Sequence, residues 1–318
     1  MQREGNGLRF LKIGGKSLTD PPYNRFFDFI APEADRFGIL KSLLEEFQLN
    51  SLVLPIAGNR HFLIFPRGQG LKSSSGTGFP FRGQSPIVLA AHYDRVPQSP
   101  GANDNSAAVF HLIKAALRLE ERKTAYWIII FTDKEELGAG EGITSQGSYT
   151  LAETLRQGGL GEARVYIFDT CGAGDTLIIS TTTDHLLQKD GGQKIWKARQ
   201  HIQGLRNLAL ETARNLNLEK TLLLPTPFSD DAGFLRAGIP AQTITTLPAA
   251  EAFPFAALLR GQPHFSDALL SRESQEIADK QRIPETWRIL NSPADDHQRL
   301  TPEYYDQIIR FAVGLCRG

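Results

Sequence analysis

An α/β fold, a three-layer sandwich around a mixed, mostly parallel central sheet, is what this sequence predicts, on three observations. Short apolar runs recur at 86–91, 125–131, 164–168 and 241–245, each the length of one strand and apolar enough to be buried on both faces. Segments of helical period alternate with them, over 106–119, from 148 to 155 and over 231–237. The residues that directly follow the apolar runs are polar, as expected where strands of a parallel sheet end in loops.

Upstream of that pattern, Phe26, Phe27, Phe29, Ile30, Phe37, Ile39, Leu40, Leu43, Leu44 and Phe47 recur at helical spacing over 24–47, and Pro32 divides the stretch into two pieces. The run LVLPIAGNRHFLIF places two apolar segments around Ala57-Gly58-Asn59-Arg60 and reads as a β-hairpin. The Gly- and Ser-rich stretch 67–84 reads as an exposed loop, and 248–285 as an irregular insertion with some helix. A final helix is expected over 302–316. Residues 1–318 are expected to form a single domain, with N-terminal helices and hairpin (1–80) packed on a core of 85–318.

Bulk properties exclude several function classes. Lys and Arg together number 35, matching 35 Asp and Glu, so no overall field draws nucleic acid or anionic lipid. The longest apolar stretch, 126–131, is far short of the roughly 20 residues that span a bilayer. The chain has 2 cysteines, Cys171 and Cys316, which make no disulfide framework, and its first residues hold no apolar core of a signal peptide. A cytoplasmic setting is the expectation. A serine nucleophile is disfavoured by the lack of a G-x-S-x-G elbow, and Cys171 reads as a small buried hydrophobe.

The strand ends carry the chemistry. After the first core strand comes His92-Tyr93-Asp94; further on, Gly101-Ala-Asn-Asp104-Asn105 precedes a helix. The second strand is followed by Glu135-Glu136 and the third by Asp169. Taken singly, these are ordinary residues: Asp before a helix is usually a cap, and paired Glu is usually a solvated face. Four such elements at successive strand ends would be gathered at one place by the fold. Imidazole with carboxylates is then a mixed N/O ligand set that suits zinc. On an extended segment, His92 and Asp94 point the same way, so Asp94 would fix the imidazole from its second nitrogen.

These motifs, with Ser229-Asp230-Asp231 and Gly238-Ile239-Pro240 after them, resemble in order and spacing the zinc aminopeptidase family of metallopeptidase clan MH, whose relatives include two-zinc bacterial aminopeptidases and glutaminyl cyclase. The resemblance implies a metallopeptidase acting on a peptide substrate, with His92 and Asp169 on one zinc, Asp104 bridging to a second, and Glu136 on the second. It implies Glu135 as general base, with Asp94 beside it as the other candidate catalytic residue, and a cis peptide at Asp104-Asn105. Where the family supplies a last zinc-binding His, this chain has Asn291 in Asn291-Ser-Pro-Ala-Asp295-Asp296, and His297 is the substitute candidate. Asp231 stands where relatives usually have His. The glycines of 138–147 suggest a loop at the mouth of the site. One zinc or two, a glutaminyl cyclase-like acyltransferase, and an inactive binding protein on the same fold remain alternatives; oligomeric state is not legible.

Overall fold

The computed structural model describes residues 20–69, 85–138, 140–188, 193–262, 265 and 281–317. Of the expected loop, residues 70–84 lie outside the described residues, as do 263–264 and 266–280 of the region 248–285.

The N-terminal segment forms α1 (Phe26–Ile30) and α2 (Arg36–Glu46). Ala31 turns extended, ψ 146°, ahead of Pro32, as the ring of a following proline demands. The Asp35 carboxylate accepts the Gly38 N–H at 3.0 Å and caps α2. Strands β1 (Ser51–Ile56) and β2 (Asn59–Ile64) pair antiparallel around Ala57 and Gly58, both at positive φ, the conformation of a tight hairpin turn.

The core then alternates as the apolar runs predict: β3 (Ile87–His92), α3 (Ala107–Glu121), β4 (Trp127–Thr132), α4 (Gly147–Leu155) and β5 (Arg164–Phe168). Next come β6 (Thr176–Ser180), α5 (Thr182–Gln188), α6 (Gln193–Asn215), β7 (Thr221–Leu224), α7 (Asp230–Arg236) and β8 (Ala241–Leu247). The chain continues through α8 (Ala249–Gly261), α9 (Glu285–Arg288) and α10 (Tyr305–Leu315). Strands β6 and β7 and the long helix α6 add to the sequence reading. The insertion is more regular at its start than expected, since α8 occupies it.

All eight strands join one sheet, in the order β1-β2-β4-β3-β5-β8-β6-β7. The central pairs β4–β3, β3–β5 and β5–β8 are parallel, as is β6–β7, whereas β1–β2, β2–β4 and β8–β6 are antiparallel. The hairpin therefore extends the sheet of the core instead of packing upon it. Alternate side chains of β4 serve opposite layers. Ile129 and Phe131 meet the side formed by α3, α6 and α10, with α1 and α2, whereas Ile128 and Ile130 meet α4 and α7. Because the central strands run the same way, their carboxyl ends lie on one edge, and the loops leaving them build the site.

Candidate metal centre and active-site cleft

His92 is the last residue of β3, and Asp169 is the first residue after β5. Asp104 reaches them from a five-residue turn, Ala102–Ser106, that leads into α3. His92 Nε2 lies 3.1 Å from Asp104 Oδ1 and 3.7 Å from Asp169 Oδ1. One ligand atom from each of His92, Asp104 and Asp169 falls within 4.8 Å of the others. His92 Nε2 and Asp169 Oδ1 are buried and have no aligned hydrogen-bond partner. A buried nitrogen and carboxylate oxygen left this way would each cost stability, and a divalent cation held by these residues would supply what they lack. The donor set of one imidazole and two carboxylates fits zinc.

The electrostatics agree. Burial alone would strip the proton from His92, but the carboxylates of Asp104, Asp169 and Asp94 outweigh it and hold the imidazole well above its usual range. A pocket that keeps a cation on a buried histidine is one where a metal ion can replace the proton. Burial raises Asp104, and Asp169 beside it adds to the effect.

The turn that carries Asp104 is held from several directions. Asp295 accepts the Asn103 N–H at 2.9 Å and the Asp104 N–H at 3.0 Å through its two carboxylate oxygens. Its backbone carbonyl accepts the Ala102 N–H at 3.1 Å. Asn105 donates to the Phe168 carbonyl at 2.8 Å and accepts the Thr170 N–H, tying the turn to the end of β5. The buried Arg36 donates to Ser106 Oγ and to the Asp94 carbonyl. Gly101 opens the turn at φ 62°, and a side chain there would meet the Asp104 carbonyl at 2.7 Å. The Asp104-Asn105 peptide is cis.

Asp94 touches both halves of the site. Its Oδ1 lies 3.4 Å from His92 Nδ1, and its two oxygens accept the Glu135 N–H at 3.1 and 3.0 Å. The Glu136 N–H points to the same carboxylate at 3.5 Å. Burial opposes its charge, yet His92, the Glu135 N–H and Arg36 hold Asp94 below the usual carboxylate range. Glu135 is raised well above that range by burial, with Glu136, Asp169 and Asp230 adding to it. Glu136 is raised by burial and by Asp104, while Asn291 Nδ2 donates to its Oε1 at 2.5 Å.

These groups open onto a cleft of about 510 Å³ lined by Asp104, Glu135, Glu136, Asp169 and Asn291, with apolar walls that include Phe228, Trp287 and Leu290. Glu141, Gly142 and Ile143 of the glycine-rich loop also line it. His297 does not join the cluster: it is exposed, and its ring meets Phe27 edge-on with centroids 5.1 Å apart. Cys171 is buried, with its thiol toward the Ile244 carbonyl and its pKa pushed up by burial, so it is inert.

Sequence reasoning gave no role to the buried carboxyls of Asp230, Asp231 and Asp295. Burial pushes Asp230 up to about 6 and the other two up to about 7. Asp230 accepts from Thr132 Oγ1 at the end of β4. Asp231 accepts from Thr183 Oγ1 and from the Ser229 N–H. The signal that could have found Asp295 was its place in the motif that begins at Asn291.

Fold and site together define an α/β protein with a three-residue cluster able to hold a metal ion and an adjacent glutamate at the carboxyl edge of the sheet. The model of peptidase family M28 matches residues 78–314, and the chain belongs to that family. No curated protein matches the sequence. Among solved structures, the chain is similar to a zinc aminopeptidase from Bacillus subtilis, at 17% identity and TM-score 0.47 over 80% of this chain and 48% of that one. The LapA aminopeptidase of Legionella pneumophila matches at 15% identity and TM-score 0.55 over 88% of this chain and 61% of that one. A glutaminyl cyclase from an Acidobacteriales bacterium matches at 13% identity and TM-score 0.56, over 93% of this chain and 92% of that one. The chain thus spans about half to three-fifths of these aminopeptidases. At such identities the likeness is one of fold.

Proposed function

We propose that the chain is a zinc-dependent aminopeptidase that hydrolyses the N-terminal peptide bond of a peptide substrate. The observation that carries this reading is the convergence of His92, Asp104 and Asp169 to within 4.8 Å beside a cleft that Glu135 also lines. Zinc held by those three residues would supply Lewis acidity, activating water near neutral pH and polarising the scissile carbonyl. Glu135 takes the proton of the attacking water on its carboxylate and passes one to the leaving amine nitrogen. Its burial beside other carboxylates favours keeping that proton between the two events. Asp94 orients His92 from one side and holds the Glu135 backbone from the other. The apolar walls at Phe228, Trp287 and Leu290 offer room for an apolar side chain.

Zinc-loaded protein is expected to release p-nitroaniline from aminoacyl-p-nitroanilides, to lose that activity on chelation and to regain it with zinc. Zinc-loaded protein inert toward a panel of aminoacyl anilides and unblocked peptides would overturn the reading. One observation favours a second reading, a glutaminyl cyclase-like acyltransferase: this chain and the Acidobacteriales glutaminyl cyclase cover 93% and 92% of one another. Ammonia release from peptides with N-terminal Gln, without peptide-bond cleavage, separates the two. A protein that takes up no zinc would be left as a binding module.

A further inference from the structure

Glu135 and Glu136 are neighbours in sequence, yet the cleft gives them different partners. Glu136 Oε1 accepts the Asn291 amide at 2.5 Å. Asn291 sits in the left-handed region at φ 59°, a conformation that asparagine adopts more readily than most residues, and it lines the same cleft. An amide N–H is a donor with no lone pair for a metal. The contact therefore satisfies one oxygen of Glu136 and leaves the other to the cleft. Among the described residues, the clustered ligand atoms belong to His92, Asp104 and Asp169, and Glu136 is outside the cluster.

Charge determines what the remaining oxygen meets. Among the described residues, the lining of the cleft contains five carboxylates, Asp104, Glu135, Glu136, Glu141 and Asp169, and no Lys, Arg or His. Glu141 is paired with Lys134 at 2.8 Å. Of the other four, a dication on Asp104 and Asp169 offsets the charge of two, and Glu135 alternates between its charged and protonated forms during proton transfer. Glu136 is left with one carboxylate oxygen facing the cleft and, among the described lining residues, no cation to match it. A cationic group on the substrate is the complement that this arrangement lacks.

We propose that this chain carries one metal ion, on His92, Asp104 and Asp169, and that Glu136, positioned by Asn291, binds the substrate α-ammonium group directly. The inference rests on the peptidase reading above. The ammonium N–H groups donate to the free oxygen of Glu136 while the Asn291 amide fixes the plane of the carboxylate from the other. Glu136 then acts as a binding residue, and Asn291 as the residue that positions it.

The test combines zinc content by elemental analysis with steady-state kinetics on leucine-p-nitroanilide and its desamino analogue, in wild type, Glu136→Gln and Asn291→Ala. One zinc per chain is expected in all three. In Glu136→Gln, the preference for the amine-bearing substrate is expected to fall by about tenfold or more, mainly through KM, as befits loss of a charge-assisted hydrogen bond. Asn291→Ala is expected to raise KM by a smaller factor with kcat nearly unchanged, and its retained zinc reports an intact site. Two zincs in wild type and one in Glu136→Gln would make Glu136 a ligand, overturning this inference and sparing the peptidase reading. An unchanged substrate preference in Glu136→Gln would also overturn this inference alone. Failure of the wild type to bind zinc would overturn both.

Discussion

Where β3 and β5 end, His92 and Asp169 present buried atoms that lack hydrogen-bond partners, whereas Glu136 has one oxygen already taken up by Asn291. One part of the site is poised for a cation and the other is satisfied by a neutral amide. The difference teaches that acidic side chains on one cleft can face different partners: those of Asp104 and Asp169 converge on His92, and that of Glu136 faces the amide of Asn291.

The sharpest way to test the division is at Glu135. Glu135→Gln is expected to lower kcat by about 10²–10⁴-fold with zinc retained, because it removes proton transfer and leaves the ligands in place. Loss of zinc in that variant would move Glu135 to the metal-binding part of the site. Asp94→Asn, measured by competition with a chelating dye, is expected to weaken zinc about 10–100-fold, since Asp94 Oδ1 faces His92 Nδ1 at 3.4 Å, the nitrogen turned away from Asp104 and Asp169.

The buried Asp231 is a subtler probe. Its folded-state pKa is raised to about 7 by burial, whereas the unfolded chain ionises near the ordinary carboxylate value. The native state therefore binds this proton more tightly, and the stability it contributes is full below about pH 4 and lost as pH rises through 7. Asp231→Asn carries no such loss. Thermal unfolding is expected to show the variant on the order of 4 kcal/mol more stable at pH 8 and little different at pH 4. A gain independent of pH would break the assignment. The smallest effect is expected at His297→Ala, whose zinc content, activity and Tm should match wild type, because that exposed ring touches Phe27 and not the ligand cluster.

Much of this architecture was legible because burial on both faces leaves a plain mark. The apolar runs that became β3, β4, β5 and β8 needed no partner to be read, and the rule that ligands gather at carboxyl ends singled out His92, Asp94, Asp104, Glu135, Glu136 and Asp169, of which the structure clusters His92, Asp104 and Asp169. Strand β7 was harder, with four residues and one exposed leucine, Leu223. Helix α6 buries Ile202, Leu205, Ala209 and Ala213 at helical spacing among many polar residues, so its signal was present but diluted. The nearness of Asn291 to Glu136 was implied by the family resemblance alone and not by any local pattern. Asn291 is 155 residues away, and nothing local to either residue encodes the contact. The same holds for Asp295, whose neighbours in sequence do not reveal that its carboxylate faces the backbone of Asn103 and Asp104.

Asp295 also ties the site to the order in which the chain is made. Three backbone N–H groups of the Asp104 turn, those of Ala102, Asn103 and Asp104, end on this one residue. During synthesis His92, Asp104 and Asp169 leave the ribosome long before it does, and until it arrives those three amides lack these acceptors. The growing chain thus carries His92, Asp104 and Asp169 before the residue that ties down the Asp104 turn, so this edge of the sheet is completed only when the segment ahead of the last helix docks.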